Sequence, residues 1–197
     1  MGEASTWAME RFGSHAEKLT ESIPKCLAEA HARARASHEA SGLEKFSKYG
    51  HVLAERALVE LAEAARALGT EPRVLRGREF AVIVGHALFP LRYANRAQPL
   101  EKARLKSSAS LQRRRLLTAH APQQAALFDI DDDLTTDEYE ELHRTYEELG
   151  ATTKLVSVFF TSDVDAGIHQ IWWGEATLEP DRTFSWAHKE RLPVSFA

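Results

Sequence analysis

The sequence predicts an α+β fold, with N-terminal helices packed on a mostly antiparallel sheet built from a middle strand region and a C-terminal three-stranded meander. Three observations carry this. Helical spacing of apolar residues is confined to roughly the first 70 positions. β-branched and aromatic runs take over in 73–93 and again in 154–190. Turn residues then divide the C-terminal run into segments of about ten residues.

In chain order, Ser5 or Thr6 is placed to cap a first helix running to about Ser22, with Trp7, Phe12 and Leu19 for its apolar face. Ile23-Pro24 predicts a break, because proline suits the first turn of a new helix. The alanine-rich stretch that comes next favours helix and stops at Gly42. After a polar connection over 42–50, Ala54, Leu58, Leu61, Ala65 and Leu68 form one stripe of a helix that ends at Gly69. Core packing is the expected use of that stripe, rather than a partner helix. Tyr49-Gly50-His51 offers a polar cluster, and its ordinary use is a turn that starts a helix.

Residues 73–93 predict one or two strands, the second ending near Pro90, with Gly77 and Gly85 at turns or bulges. The basic segments 100–106 and 111–117 suit helical turns, and 120–134 reads as a surface connection. Thr135 with Glu138 has capping-box spacing and predicts a helix to Leu149, stopped by Gly150. Strands are then predicted over 154–163, 168–178 and 183–191, joined by turns at 164–167 and 179–182. Period-two alternation puts Phe184, Trp186 and His188 on one face, Ile168 with Trp172 on one face, and Ile171 with Trp173 on the other. At most one of Trp172 and Trp173 is therefore expected at the surface.

No linker or repeat divides the 197 residues, so one domain is expected. Its segments are helical 5–70, strand and basic 73–118, acidic 129–149 and β-meander 153–190, and its weakest boundary lies around 119–135. No apolar run approaches the ~18 residues that span a bilayer. The N-terminus lacks the basic and apolar regions of a signal peptide, and a single cysteine, Cys26, excludes an internal disulfide. A soluble cytoplasmic protein, with no membrane association, is the expectation.

The net charge of −4 conceals two opposed blocks. From Arg73 to Arg115 eleven Lys and Arg stand against Glu79 and Glu101, a net of +9. From Asp129 to Glu148 ten acids stand against Arg144, a net of −9. Such asymmetry speaks to partners more than the total does.

Motifs for cofactor chemistry are absent. The ten glycines never reach the spacing of a phosphate-binding loop, and one cysteine rules out clustered thiolates. His38-Glu39 lacks a second histidine four residues on, and Ser14 lacks the flanks of a nucleophile elbow. No acid has a lysine two positions later, the spacing common in metal-dependent nucleases. Asp129 with Asp131, and Asp163 with Asp165, can each direct two carboxylates to one side. A solvated acidic run and a hairpin turn explain them as well, so no metal and no cofactor are expected. Metal-independent phosphodiester cleavage pairs an arginine with a histidine, and Arg33…His38, Arg115…His120 and Arg182…His188 have workable spacing.

The strongest cluster is FPLRYANR together with the basic segments downstream of it. Arg92, Tyr93 and Arg96 stand just past a predicted strand, and Lys102, Arg104, Lys106, Arg113, Arg114 and Arg115 extend the field. Arginine suits bidentate phosphate contact and tyrosine can stack on a base, so these nine are the candidate contacts to nucleic acid or another anion. Tyr93 as a core aromatic with a solvated basic rim is the competing reading. Asp131, Asp132, Asp133, Asp137, Glu138 and Glu141 form the matching acidic surface, able to pair with the basic block in the same molecule or across a homodimer.

Three functions are expected on these grounds, with no catalytic residue assigned. The leading one is a non-enzymatic regulatory or adaptor protein whose basic segment contacts nucleic acid or an acidic protein. The others are a metal-independent nuclease or other phosphate-handling enzyme, and a structural homo-oligomerisation module.

Overall fold

In the computed structural model, residues 4–42, 47–75, 77–107, 109, 111–118 and 152–194 are described, with the backbone alone at 47, 111–113 and 115. The acidic stretch 129–149, including its expected helix and the Asp129–Asp131 pair, lies outside the described residues.

Helix α1 (Thr6–Phe12) begins where Ser5 Oγ accepts the Ala8 N–H at 3.1 Å. It ends at Gly13, whose φ of 54° suits glycine, and a 3₁₀ turn (Gly13–His15) leads into α2 (Ala16–Ser41). The break thus falls at Gly13, and Pro24 lies inside α2. Proline removes one backbone hydrogen bond there, but its ring is buried beside Ile23 and Leu27, and tertiary burial outweighs the local preference. Gly42 closes α2 in the left-handed region, as expected.

Helix α3 (Ser47–Ala67) starts early enough to include Tyr49, Gly50 and His51, which are helical rather than a preceding turn. Its fully buried row is Tyr49, Leu53, Ala57, Leu61 and Ala65, adjacent to the expected stripe. Only Leu61 and Ala65 belong to both. Leu58 packs against a different cluster, because α3 is flanked by apolar groups on two sides.

Strands β1 (Arg73–Leu75) and β2 (Arg78–Phe80) form a separate hairpin turned by Gly77. Strands β3 (Val82–Ile83), β4 (His86–Ala94), β5 (Lys154–Asp163), β6 (Gly167–Leu178) and β7 (Phe184–Leu192) form one sheet in that spatial order. All its pairings are antiparallel except β4 with β5, which the sequence did not announce. Strand β4 runs through Pro90 instead of stopping there. The Leu88 N–H points towards the β3 side, bonding Ala81 O at 2.9 Å, and Pro90, two residues on, shares that direction. β3 pairs no further than Ala87, so the missing proline N–H leaves no ladder partner wanting.

The sheet is covered on both faces. Val158, Phe160, Ile171 and Trp173 pack under α1, α2 and α3. Phe89, Leu155 and Phe159 pack on the other face with the β1–β2 hairpin, the 100–105 segment and α4 (Leu111–Thr118). Trp173 is wholly buried and Trp172 partly so, on opposite faces.

Three irregularities shift the alternation: register breaks at Arg92/Ala94 in β4, at Thr161/Ser162 in β5 against β6, and at Glu175/Ala176 in β6 against β7. Each leaves one residue unpaired and turns its strand. Ile168 consequently joins Ile171 and Trp173, not Trp172. Likewise Trp186 faces Phe159, whereas His188 stacks on Trp7 across the sheet. The first two bulges lie at the same end, around Phe160–Ser162. Among the described residues no helix is long and apolar enough to cross a membrane.

Candidate anion-binding cleft

That bulged end of the sheet opens into a cleft of about 1060 Å³. Its floor is the end of β4 and β5, one wall is the start of α3 at Gly50, His51 and Ala54, and the other is Arg104, Leu105, Lys106 and Ala109. Of the nine expected contacts, Arg92, Tyr93, Arg96, Arg104 and Lys106 line it. Lys102 is exposed outside it, and Arg114 donates to Ser107 O from the exposed side of α4. The side chains of Arg113 and Arg115 are outside the described set, as are Asp131, Asp132, Asp133, Asp137, Glu138 and Glu141. Four cations therefore line the cleft against one described carboxylate, Asp163.

The cations differ in how they are held. Arg96 and Lys106 are exposed, and Arg104 donates to Asp181 O at 3.1 Å with the Asp181 carboxylate 3.7 Å away. Arg92 is half-buried and pinned. Its Nε and Nη2 donate to Ser162 O at 3.2 and 2.6 Å, and its guanidinium lies 5.3 Å from the Tyr49 ring centroid. Burial holds its pKa below the ordinary arginine value, against the opposing pull of Tyr49 and Asp163, and the group stays cationic. Arg92 has no ion pair among the described residues.

Behind it stands a buried polar chain. Tyr49 donates to Ser162 Oγ at 3.3 Å, and His31 Nδ1 lies 2.8 Å from the Tyr49 oxygen. Burial raises the Tyr49 pKa and lowers that of His31. Asp163 does not neutralise Arg92 by contact; its Oδ1 accepts the N–H groups of Asp165 and Ala166 at 2.9 and 3.1 Å. The carboxylates of Asp163 and Asp165 thus belong to a hairpin turn. Among the described residues no group of three or more His, Cys, Asp or Glu is placed to hold a metal ion.

Tyr93 is a structural tie. Its hydroxyl donates to Gln98 O at 2.8 Å, and the Gln170 amide donates to both oxygens. Burial pushes the phenol up to about 12, so it keeps its proton. The ring packs 6.1 Å from that of Phe159. This bonding fixes the loop that carries Arg96.

The arginine–histidine pairs Arg33…His38 and Arg182…His188 do not line this cleft, and Arg115…His120 lies outside the described side chains. His38 is buried on α2, while Arg33 bonds Glu29 at 2.7 Å. His188 is stacked on Trp7 at 4.3 Å, and Arg182 sits in the β6–β7 turn; His120 is outside the described residues. The histidine that lines the cleft is His51. Cys26 donates to Glu60 O at 3.3 Å, and burial pushes its thiol up to about 12, which favours the protonated form.

Sequence reasoning missed the contributions of His31 and Ser162, which lie far from FPLRYANR in the chain, and placed Asp163 in a carboxylate pair or hairpin turn without linking it to Arg92. One signal was present: a glycine, Gly50, between a tyrosine and a histidine in a segment that turns out to be helical. No known family, curated protein or solved structure matches this chain.

Proposed function

We propose that the protein is a non-enzymatic regulatory or adaptor protein whose basic cleft holds a polyanionic partner, nucleic acid or an acidic protein segment. One observation carries the reading: Arg92, Arg96, Arg104 and Lys106, all from the stretch 92–106, line one open cleft where the single described acid is committed to a turn. Guanidinium groups in a concave site match phosphate or carboxylate oxygens, and clustering them raises local anion concentration.

The test is fluorescence anisotropy with labelled oligonucleotides, heparin competition and a salt series. Affinity is expected to fall steeply with salt, by about 0.7 in log K per log unit of salt for each phosphate neutralised on a single strand. Substituting Arg96, Arg104 and Lys106 by Gln together is expected to abolish most of that slope. Absence of binding to every polyanion at low salt rejects the reading.

A phosphate-handling enzyme is the second reading, favoured by His51 in the same cleft. It predicts metal-independent cleavage of a bound strand that is lost in His51→Ala while binding remains. An intact oligonucleotide after prolonged incubation removes it.

A further inference from the structure

The four cations of the cleft are of two kinds. Arg96, Arg104 and Lys106 stand at the rim and are exposed, with Arg104 held at the surface by Asp181. Arg92 lies deeper, and two of its three nitrogens are spent on Ser162 O. His31, Tyr49 and Ser162 act as positioning residues that fix its plane. The remaining nitrogen, Nη1, is directed to the α3 wall, 3.7 Å from where a Cβ of Gly50 would stand. A half-buried guanidinium held this firmly has already lost its rotamer freedom, so an anion meeting it gains contact at little further entropy cost.

Gly50 gives the second observation. Glycine within a helix is destabilising by roughly 0.5–1 kcal/mol relative to alanine. The backbone at 50 is helical and needs no positive φ. An alanine would make only an ordinary contact there, whereas a longer side chain would fill the space before Nη1. The glycine therefore keeps the recessed face of Arg92 open.

The shape of the site separates the possible anions. Duplex phosphates lie on a convex cylinder and can reach the rim cations but not a recessed one. A flexible strand can lower one backbone phosphate into the cleft, past the rim cations and onto the recessed one. An acidic peptide carries its charges on side chains that each lose rotamer freedom when placed, whereas a strand carries them in its backbone.

We infer that the cleft takes single-stranded nucleic acid, with one backbone phosphate seated on Arg92 Nη1 in front of Gly50 and the neighbouring phosphates on Arg96, Arg104 and Lys106. This rests on the polyanion reading and is narrower than it. The phosphate on Arg92 is the discriminating contact; those at the rim are shared by any polyanion.

The experiment compares a 12-nucleotide single strand, a duplex of the same sequence and a poly-glutamate peptide by anisotropy, using the full chain. The single strand is expected to bind about tenfold or more tighter than either competitor. Arg92→Gln and Gly50→Leu are each expected to remove that preference, about tenfold on the single strand, while leaving the duplex unchanged. Arg96→Gln is expected to weaken both nucleic acids by similar factors. Because Gly50→Leu can disturb α3, wild-type protein is also crosslinked to a 4-thiouridine strand, with crosslinks expected in the peptide around Gly50–Ala54. Equal affinity for strand and duplex, equal affinity for poly-glutamate, an unaltered preference in Arg92→Gln, or crosslinks confined to 102–114 each overturn this inference. Any of these with salt-sensitive polyanion binding intact leaves the broader reading standing. Loss of all polyanion binding removes both.

Discussion

The helix-covered face of the sheet ends in two arginine sites, each with aromatic and histidine side chains nearby, with opposite results. At one end Arg11 Nε donates to Glu175 Oε1 at 2.6 Å, and that hydrogen bond raises the arginine pKa. Around it Trp7, Phe12, Trp173 and His188 stack edge and face into a closed cluster. At the other end Arg92 receives only a carbonyl oxygen and an aromatic face, and burial lowers its pKa. The first end is neutralised and filled; the second is charged and open. A cation kept half-buried without a carboxylate is costly unless something else supplies the charge. That contrast, more than the count of basic residues, is the ground on which the Arg92 end is proposed as the binding end.

Two glycines break or sharpen the contrast most strongly. Gly174, at the closed end, has φ of 154°, and a Cβ there would lie 2.1 Å from His188 O and 2.8 Å from His188 C. Those are backbone atoms of β7 and cannot yield cheaply. Gly174→Ala is expected to lose about 3 kcal/mol or more in urea-unfolding stability. Gly50→Ala, at the open end, is expected to gain about 0.5–1 kcal/mol in stability, while its methyl group, 3.7 Å from Arg92 Nη1, weakens single-strand binding less than Gly50→Leu does. Similar outcomes for the two variants would mean that the ends do not differ in packing as described.

The two arginines give a smaller effect. Arg11 and Glu175 side chains keep 31% and 27% of their exposure, so their pair is worth the modest amount of a partly solvated bridge. Arg11→Gln is expected to lose about 1 kcal/mol or less and to leave polyanion binding untouched. Arg92→Gln is expected to change stability less than Arg11→Gln, since removing the charge also removes its desolvation, while binding falls. Equilibrium urea curves on both variants decide the order. A larger stability loss for Arg92→Gln would make it a clamp for β4 and β5 instead of a ligand seat.

These features were unequally legible in the sequence. The strands over 154–163 and 168–178 and the turns after them could be read from alternation and turn residues, and they are found as β5, β6 and their hairpins. Bulges could not, because one extra residue at His169 or Ala187 leaves composition unchanged yet moves Ile168 and His188 to the other face. Pro24 misled because its local cost is visible in sequence while its burial is not. At the cleft, the arginines were legible as a cluster within FPLRYANR and the basic segments after it. Their ranking was not: what separates Arg92 from Arg96 is contact with Ser162 and Tyr49, more than forty residues away on either side. Tyr93 looked like a platform for the same reason, since its bond to Gln98 and the approach of Gln170 depend on the fold.

The smallest expected effect is a pH dependence that also divides between the ends. His31, behind Arg92, has its pKa lowered from 6.5 chiefly by burial, then by Arg35 and Arg92, with Asp163 opposing. His86, which packs on Phe12 beside the closed cluster, is lowered chiefly by burial, with Arg11 and Lys154 adding and Val84 O and Glu175 opposing. Both are neutral in the folded protein at pH 7. A histidine with a depressed folded pKa stabilises fully above its unfolded value, and the advantage is lost as pH falls through the folded one. Stability is therefore expected to be level from pH 8 to 7 and to decline on acidification below about 6.5, before the carboxylates titrate. His31→Asn, which keeps a polar group near the Tyr49 hydroxyl, is expected to flatten part of that decline. It also separates the ends: if His31 serves only to hold Tyr49, Ser162 and so Arg92, acidification weakens single-strand binding in the wild type more than in His31→Asn. Parallel titrations of stability and affinity between pH 8 and 5 measure both, and an identical affinity profile in the two proteins would detach His31 from the Arg92 seat.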